Sequence, residues 1–239
     1  MDTKFERSHH EHSIEEPELE FLKGFGIQTK VQGLSVNGVP CILDSRWLMR
    51  SNDDDLEDIL RAIPTDRPLL VYSQFFRYGW LRAYKKEIKT EWLNIDQTEL
   101  PFIQASSACV HMRFGDLTRA NMNLGEQYYH KAIQLLDSDE ISIVTDDPGH
   151  PIVKSVARKY GAKIIKHQRW IEDFYFMLAH KRIATAESTF SWWAAWLSEA
   201  ERIIAPGSNI DRAIYGGNRY WANMKSTPFV DDEPRYIYI

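Results

Sequence analysis

From residue 141 to residue 206 the chain alternates short apolar runs with stretches of helical period. The series is ISIVT, PIVKSVARKYG, AKII, EDFYFMLAHK, RIATA, TFSWWAAWL and RIIA. Apolar β-branched runs separated by amphipathic segments predict a parallel sheet with helices on its faces. Ile141, Ile143 and Val144 open the first strand, which stops at the carboxylates Asp146 and Asp147. Pro148 and Pro151 prevent an early helix and suit the first turn of the next one. Ile152, Val153, Val156 and Tyr160 then recur at helical spacing, and Gly161 follows where a C-terminal cap wants a residue tolerant of positive φ. Further strands are expected at 162–165, 182–186 and 202–205, with a helix at 172–181. In open α/β sheets ligands collect beyond the carboxyl ends of the strands. That rule selects Asp146 and Asp147, His167 to Trp170, Glu187 to Ser191 and Pro206 to Asn209.

The same reading extends toward the N-terminus. Residues 39–43, 69–72 and 108–112 form apolar runs that predict strands, and 78–92 reads as a surface helix mixing aromatics with Arg82, Lys85 and Lys86. Leu56, Ile59, Leu60 and Ile63 predict an amphipathic helix with Asp53, Asp54 and Asp55 in its first turn, where carboxylates favour the helix dipole. Residues 1–20 are polar and acidic; His9, His10 and His12 there lack a second ligand cluster, so a frayed terminus is expected.

Composition narrows the function classes. A chain of 239 residues, 44% hydrophobic and 26% charged, is long enough for one large domain or two small lobes. A net charge of −5 argues against a nucleic-acid scaffold, although local basic clusters can still hold a phosphate. Cys41 and Cys109, each within an apolar run, read as buried thiols. No apolar run approaches the ~18 to 20 residues of a membrane helix, and the N-terminus has no signal-peptide core, so a cytoplasmic protein is expected.

The densest polar chemistry follows the strand at 108–112, in CVHMRFGDLTR. Alternation along a strand puts His111 and Arg113 on one face, and Gly115 allows a sharp turn that brings Asp116 back toward them. Arginine captures phosphate oxygens in a bidentate manner, and a neighbouring histidine adds a hydrogen bond. Asp116 is placed either to orient Arg113 or to act as a base; the bland alternative is a salt-bridged strand end. A second constellation, Glu187, Ser188, Thr189 and Ser191, lies where a strand gives way to a helix, whose N-terminus attracts phosphate. Ser188 also reads as an ordinary N-cap, and Phe190, Trp192, Trp193 and Trp196 as packing residues.

Taken together, VHMRFGD, NLGEQYYHKAI, IVTDD, DFYFMLAHKRIATAESTFSWWAAWL and IIAP resemble the α-1,2-fucosyltransferase family in motif text and motif order. YSQFFRYGWLRAYKKEI is similar to that family's stretch ahead of a helix, so the resemblance covers residues 71–206. It implies an α/β protein of GT-B type, with two Rossmann-type lobes of parallel sheet and the cleft between them. It further implies an inverting, metal-independent glycosyltransferase that moves a sugar from a GDP-sugar to a glycan hydroxyl, with fucose as the first expectation and no cofactor beyond the donor. By this resemblance His111 and Arg113 hold the donor diphosphate, Ser188, Thr189 and Ser191 add contacts to it, and Asp146 and Asp147 are candidates for nucleoside recognition. Asp116 and Glu126 are the candidate general bases. The partners implied are a nucleotide-sugar and a glycan, with no metal.

The chain departs from the family at three points. Phe114 stands where the family has a second arginine; KGFGIQ is at best a remnant of a glycine-rich opening; and the length implies an abbreviated N-terminal lobe. Donor class is therefore carried further than sugar identity, leaving xylose, rhamnose or galactose as alternatives. The organisation expected is a flexible terminus over 1–20, an acceptor-side lobe over 21–105, a donor-binding lobe over 106–206, and a C-terminal tail over 207–239 packing across the lobes. Two other classes compete: a non-catalytic nucleotide- or glycan-binding module, and an α/β methyltransferase. The latter expects a glycine-rich turn after an early strand, which neither 71–74 nor 110–113 leads into.

Overall fold

The computed structural model describes residues 41–44, 69–72, 78–93, 95, 100–101, 107–119, 123–207 and 229–239. The expectations for residues 1–20, including His9, His10 and His12, and for the helix after Asp53 to Asp55 lie outside the described residues.

β1 (Cys41–Asp44) and β2 (Leu69–Tyr72) pair in parallel as a two-stranded sheet. The main sheet contains β3 (Ala108–Met112), β4 (Ile141–Thr145), β5 (Lys163–Ile165), β6 (Arg182–Ala184), β7 (Arg202–Ala205) and β8 (Tyr236–Tyr238). These run in the order β5-β4-β3-β6-β7-β8, with every pair parallel. Parallel neighbours need long crossovers, and from β3 to β7 helices supply them. The chain winds outward from β3 to β5, returns to β6 on the other side of β3, and winds outward again. This is the doubly wound α/β arrangement, with its order reversing between β3 and β6.

Strand alternation divides the core into two layers. Cys109, Val144, Ile183 and Ile203 face α6 (Trp170–Leu178) and α7 (Thr189–Leu197), whereas Val110, Met112, Ile143, Ala184 and Ile204 face α4 (Glu126–Leu136) and α5 (Pro151–Tyr160). Burial on both faces explains why the strand sequences are almost continuously apolar rather than alternating. The helix ends follow local chemistry. Pro151 begins α5, His150 Nδ1 accepts the Ile152 N–H at 3.3 Å, and Gly161 ends the helix at φ +61°. Glu172 in the first turn of α6 accepts the Arg169 N–H at 3.3 Å. The short α3 (Gly115–Arg119) follows β3 directly.

The helix expected over 78–92 forms in pieces: α1 (Tyr78–Leu81), a 3₁₀ turn (Arg82–Tyr84), α2 (Lys85–Glu87) and a π turn (Ile88–Trp92). Tyr78 and Ile88 are buried in the same core layer as α7, while Tyr84 and Trp92 are exposed. The C-terminal segment fixes this arrangement. The Tyr78 hydroxyl donates to Asp232, and Lys85 Nζ to Glu233 at 2.8 Å. Arg235 donates to the carbonyls of Trp196 and Ser198 at 2.8 Å each and of Ala200 at 3.1 Å, placing a cation at the negative end of α7. The end of the stretch expected to form a tail across the lobes is thus β8, the sixth strand of the main sheet.

Trp196 joins these parts. It is fully buried, its ring packs against Tyr78, Trp192 and Trp193, and its Nε1 donates to Glu233 at 3.2 Å. Trp196→Ala is expected to cost about 3–5 kcal/mol, read as a lower urea midpoint with an unchanged slope. A loss under about 1 kcal/mol would contradict its place at the junction. Among the described residues, no helix is long and apolar enough to cross a membrane.

Candidate functional site: the crevice between β3 and β6

The register pairs Met112 with Thr145, so the next residues, Arg113 and Asp146, emerge side by side from adjacent strands. Arg113 Nε lies 3.2 Å from Asp146 Oδ2. The same carboxylate accepts the Phe114 N–H through Oδ1 at 2.9 Å and the Gly115 N–H through Oδ2 at 3.0 Å. Asp146 therefore closes the turn into α3 and holds the guanidinium beside it. A Cβ at position 115 would stand 2.6 Å from Asp146 Oδ2, so any larger residue there displaces that carboxylate.

His111 lies one alternation earlier and is 3% exposed. Its ring centroid is 5.5 Å from that of Phe190 in the first turn of α7, which ties the β3 motif directly to the helix after β6. Its buried Nδ1 has no hydrogen-bond partner among the described residues. Burial, and then the charge of Arg113, push its pKa down to about 3. The imidazole is therefore neutral at pH 7, with one N–H to give and one lone pair to offer.

This has a consequence for stability. A histidine whose folded pKa lies below its unfolded value of about 6.5 binds fewer protons in the folded state, so stability rises with pH between the two values. The penalty begins as pH falls below about 6.5, grows by at most about 1.4 kcal/mol per unit, and levels off near the folded pKa. His111→Gln is expected to flatten this slope, measured by urea unfolding at neutral and mildly acidic pH. Equal acid sensitivity in the two proteins would contradict a buried neutral imidazole.

On the other side of the crevice, β6 ends at Ala184 and α7 begins at Thr189. Ser188 occupies the N-cap in an extended conformation, but its side chain makes no capping hydrogen bond. Ser191 is fully buried; its Oγ accepts the Ala186 N–H at 3.3 Å and lies 3.2 Å from the Ser188 carbonyl, so it braces the turn. Thr189 is exposed at the helix start. The first-turn N–H groups have no acceptors within the helix and carry its partial positive charge. A buried neutral imidazole packed against the first turn of α7, and a braced cation two residues further along the chain, thus stand beside the point where the strand order reverses.

The other candidates have different surroundings. Asp147 Oδ1 accepts the Gly149 N–H at 3.0 Å, and its carbonyl accepts the His150 N–H at 3.1 Å, shaping the turn into α5. Glu126 accepts from the Ser155 hydroxyl at 2.6 Å and lies 3.3 Å from His130 Nε2, joining α4 to α5. Asp116 belongs to α3; its side chain lies outside the described residues. Phe114 is fully buried on the side of Val110 and Met112, stacked on His150 with centroids 3.7 Å apart.

Two features of the site were not anticipated. One is Asp146 as the brace of Arg113, a contact that aligning the ends of β3 and β4 would have found. The other is Tyr129, buried in α4, whose phenol is pushed up by burial and by the carboxylates of Asp146 and Glu187. Glu187 is itself 5% exposed at the mouth of β6. No signal in the sequence distinguishes Tyr129 from an ordinary core tyrosine.

The described core is thus an α/β domain whose strand order reverses between β3 and β6. No protein-family model and no curated protein matches the chain. Among solved structures it is similar to E. coli heptosyltransferase WaaC with ADP-2-deoxy-2-fluoro heptose, at 16% identity and a TM-score of 0.40. The likeness covers 73% of this chain and 56% of that one, so the chain spans a little over half the length of that structure.

Proposed function

We propose that the chain is a glycosyltransferase of GT-B type that binds the diphosphate of a nucleotide-sugar in the crevice between β3 and β6. The observation that carries this reading is the placing of Arg113, held by Asp146, two residues past His111, whose buried Nδ1 has no partner among the described residues and whose ring packs against Phe190 in the first turn of α7. A diphosphate answers all three: it pairs with the guanidinium, accepts from a neutral imidazole and sits at a helix N-terminus. The motif order of the α-1,2-fucosyltransferases makes GDP-fucose the first donor to test. The burial of Phe114 removes that side chain from any role on the donor phosphates.

The reaction proposed is a single displacement. The acceptor oxygen bonds to the anomeric carbon as the bond from that carbon to the diphosphate oxygen breaks on the opposite face, inverting the configuration. Arg113, His111 and the α7 terminus stabilise the charge that grows on the leaving diphosphate. A carboxylate takes the acceptor proton. Asp116 is the first choice, because Ser155 and His130 already engage Glu126.

The test is incubation with GDP-fucose, UDP-xylose and UDP-galactose against a panel of glycan acceptors. The expected result is acceptor-dependent release of one nucleoside diphosphate and a product of inverted anomeric configuration by NMR. Binding of a donor without release would favour the binding-module reading, and neither binding nor release would overturn the assignment.

A further inference from the structure

The charge of this chain is unevenly distributed. Between Pro151 and Trp170 it carries Lys154, Arg158, Lys159, Lys163, Lys166 and Arg169 and not one Asp or Glu, a formal +6. The whole chain has 29 basic and 34 acidic residues, so the remainder carries −11. All six cations are exposed, on α5 and on the edge strand β5 with the turn that follows it. Lys163 pairs with Glu140 and Arg169 with Glu172, each at 2.8 Å, while Lys159 lies over the ring of Tyr160. Lys154, Arg158 and Lys166 have no carboxylate partner among the described residues. Folding alone does not account for them: α5 buries Val153 and Val156, and none of the three lies in either core layer.

We infer that the edge formed by α5 and β5 is a docking surface for an anionic lipid bilayer. Cations without intramolecular partners gain by approaching a negative surface, and each basic residue held there strengthens binding roughly fivefold. The same edge exposes an apolar side chain, Ile164, at 38%, beside Lys163 and near Lys166. A bilayer can take up that side chain, whereas a nucleic acid would be gripped by aromatic faces. The two aromatics of the stretch, Tyr160 and Trp170, are half-buried instead. The negative remainder of the molecule favours contact along this one edge, because opposition from more distant charges is screened within about 8 Å at physiological salt. The surface lies apart from the donor crevice, so its test does not depend on the activity proposed above.

The experiment is flotation of the full chain with vesicles of phosphatidylcholine alone or with about one third phosphatidylglycerol, in about 0.1 M and about 1 M salt, where the Debye length falls from ~10 to ~3 Å. Binding is expected only to the phosphatidylglycerol vesicles at the lower salt. The variant Lys154→Glu/Arg158→Glu/Lys166→Glu should bind them on the order of 100-fold more weakly, with its melting temperature kept. Should that variant fail to fold, the glutamine triple at the same positions and the salt series on the native chain give the same reading. Equal binding to neutral vesicles, no binding to anionic ones, or unchanged binding by the variant overturns the inference. So does tighter binding to a single-stranded RNA without vesicle binding.

Discussion

Arg113→Ala is expected to lower kcat/KM for nucleotide-sugar turnover by about 10²–10³-fold or more, while the protein stays folded. The size follows from the role: a charged group aimed at an oxygen that gains charge in the transition state contributes on the order of 3–4 kcal/mol. The fold should survive because the side chain is part-exposed and its ion pair with Asp146 contributes little to stability, on the order of 1 kcal/mol or less. Asp146 would keep its two backbone donors, Phe114 and Gly115. Arg113→Lys should fall between, because lysine keeps the charge but loses the planar fork that meets two phosphate oxygens. Native turnover in Arg113→Ala would remove the phosphate role, and a collapse in melting temperature would show the residue to be structural.

Gly115→Ala should be nearly as damaging, by another route. The new Cβ would fall 2.6 Å from Asp146 Oδ2 and 3.6 Å from its Cγ, so the carboxylate has to move. Moving it weakens its hold on the Gly115 N–H and on Arg113 together. A misplacement of about 1 Å at a charged catalytic group is enough for a loss near 10²-fold. Overpacking of this kind costs about 1–3 kcal/mol of stability as well. The double variant Gly115→Ala/Asp146→Ala gives a sharper test. If the clash is the cause, adding Gly115→Ala to a chain that already lacks the carboxylate should cost little further stability, a strong departure from additivity. Additive losses would mean that the glycine matters for some other reason.

The parts of this molecule legible in the sequence are those that local pattern controls. The strands at 108–112, 141–145 and 202–205 announce themselves because both faces are largely buried, so that apart from His111 and Arg202 their residues are apolar or small. α5 is bounded by Pro151, whose ring fixes φ, and by Gly161, which takes a positive φ without steric cost, and both effects act at short range. The pieces that local pattern does not reach are long-range. β8 is three residues long and becomes a strand only because the edge of β7 is there to pair with it. The helix over 78–92 buries Tyr78 against Trp196 and Asp232, more than a hundred residues away in sequence.

The site divides along the same line. That His111 and Arg113 share a side of β3 is a consequence of strand alternation, and it is visible in the spacing. That Asp146 is the carboxylate beside Arg113 depends on the β3–β4 register, which no local pattern states. Phe114 illustrates the converse. Compared with a family motif it reads as a lost cation, but its position one residue past Arg113 turns it to the opposite face, where it stacks on His150. Sequence position gave its neighbours along the chain, and the sheet decided which side of the crevice it serves.

The central claim is that a nucleoside diphosphate binds between β3 and β6 through Arg113. Calorimetric titration of GDP into the native chain and into Arg113→Ala tests it most directly. Loss of a charge-assisted hydrogen-bonded pair should weaken the affinity roughly 10- to 100-fold. Equal affinity in the two proteins, or no heat from the native chain with GDP, UDP or ADP, would contradict it.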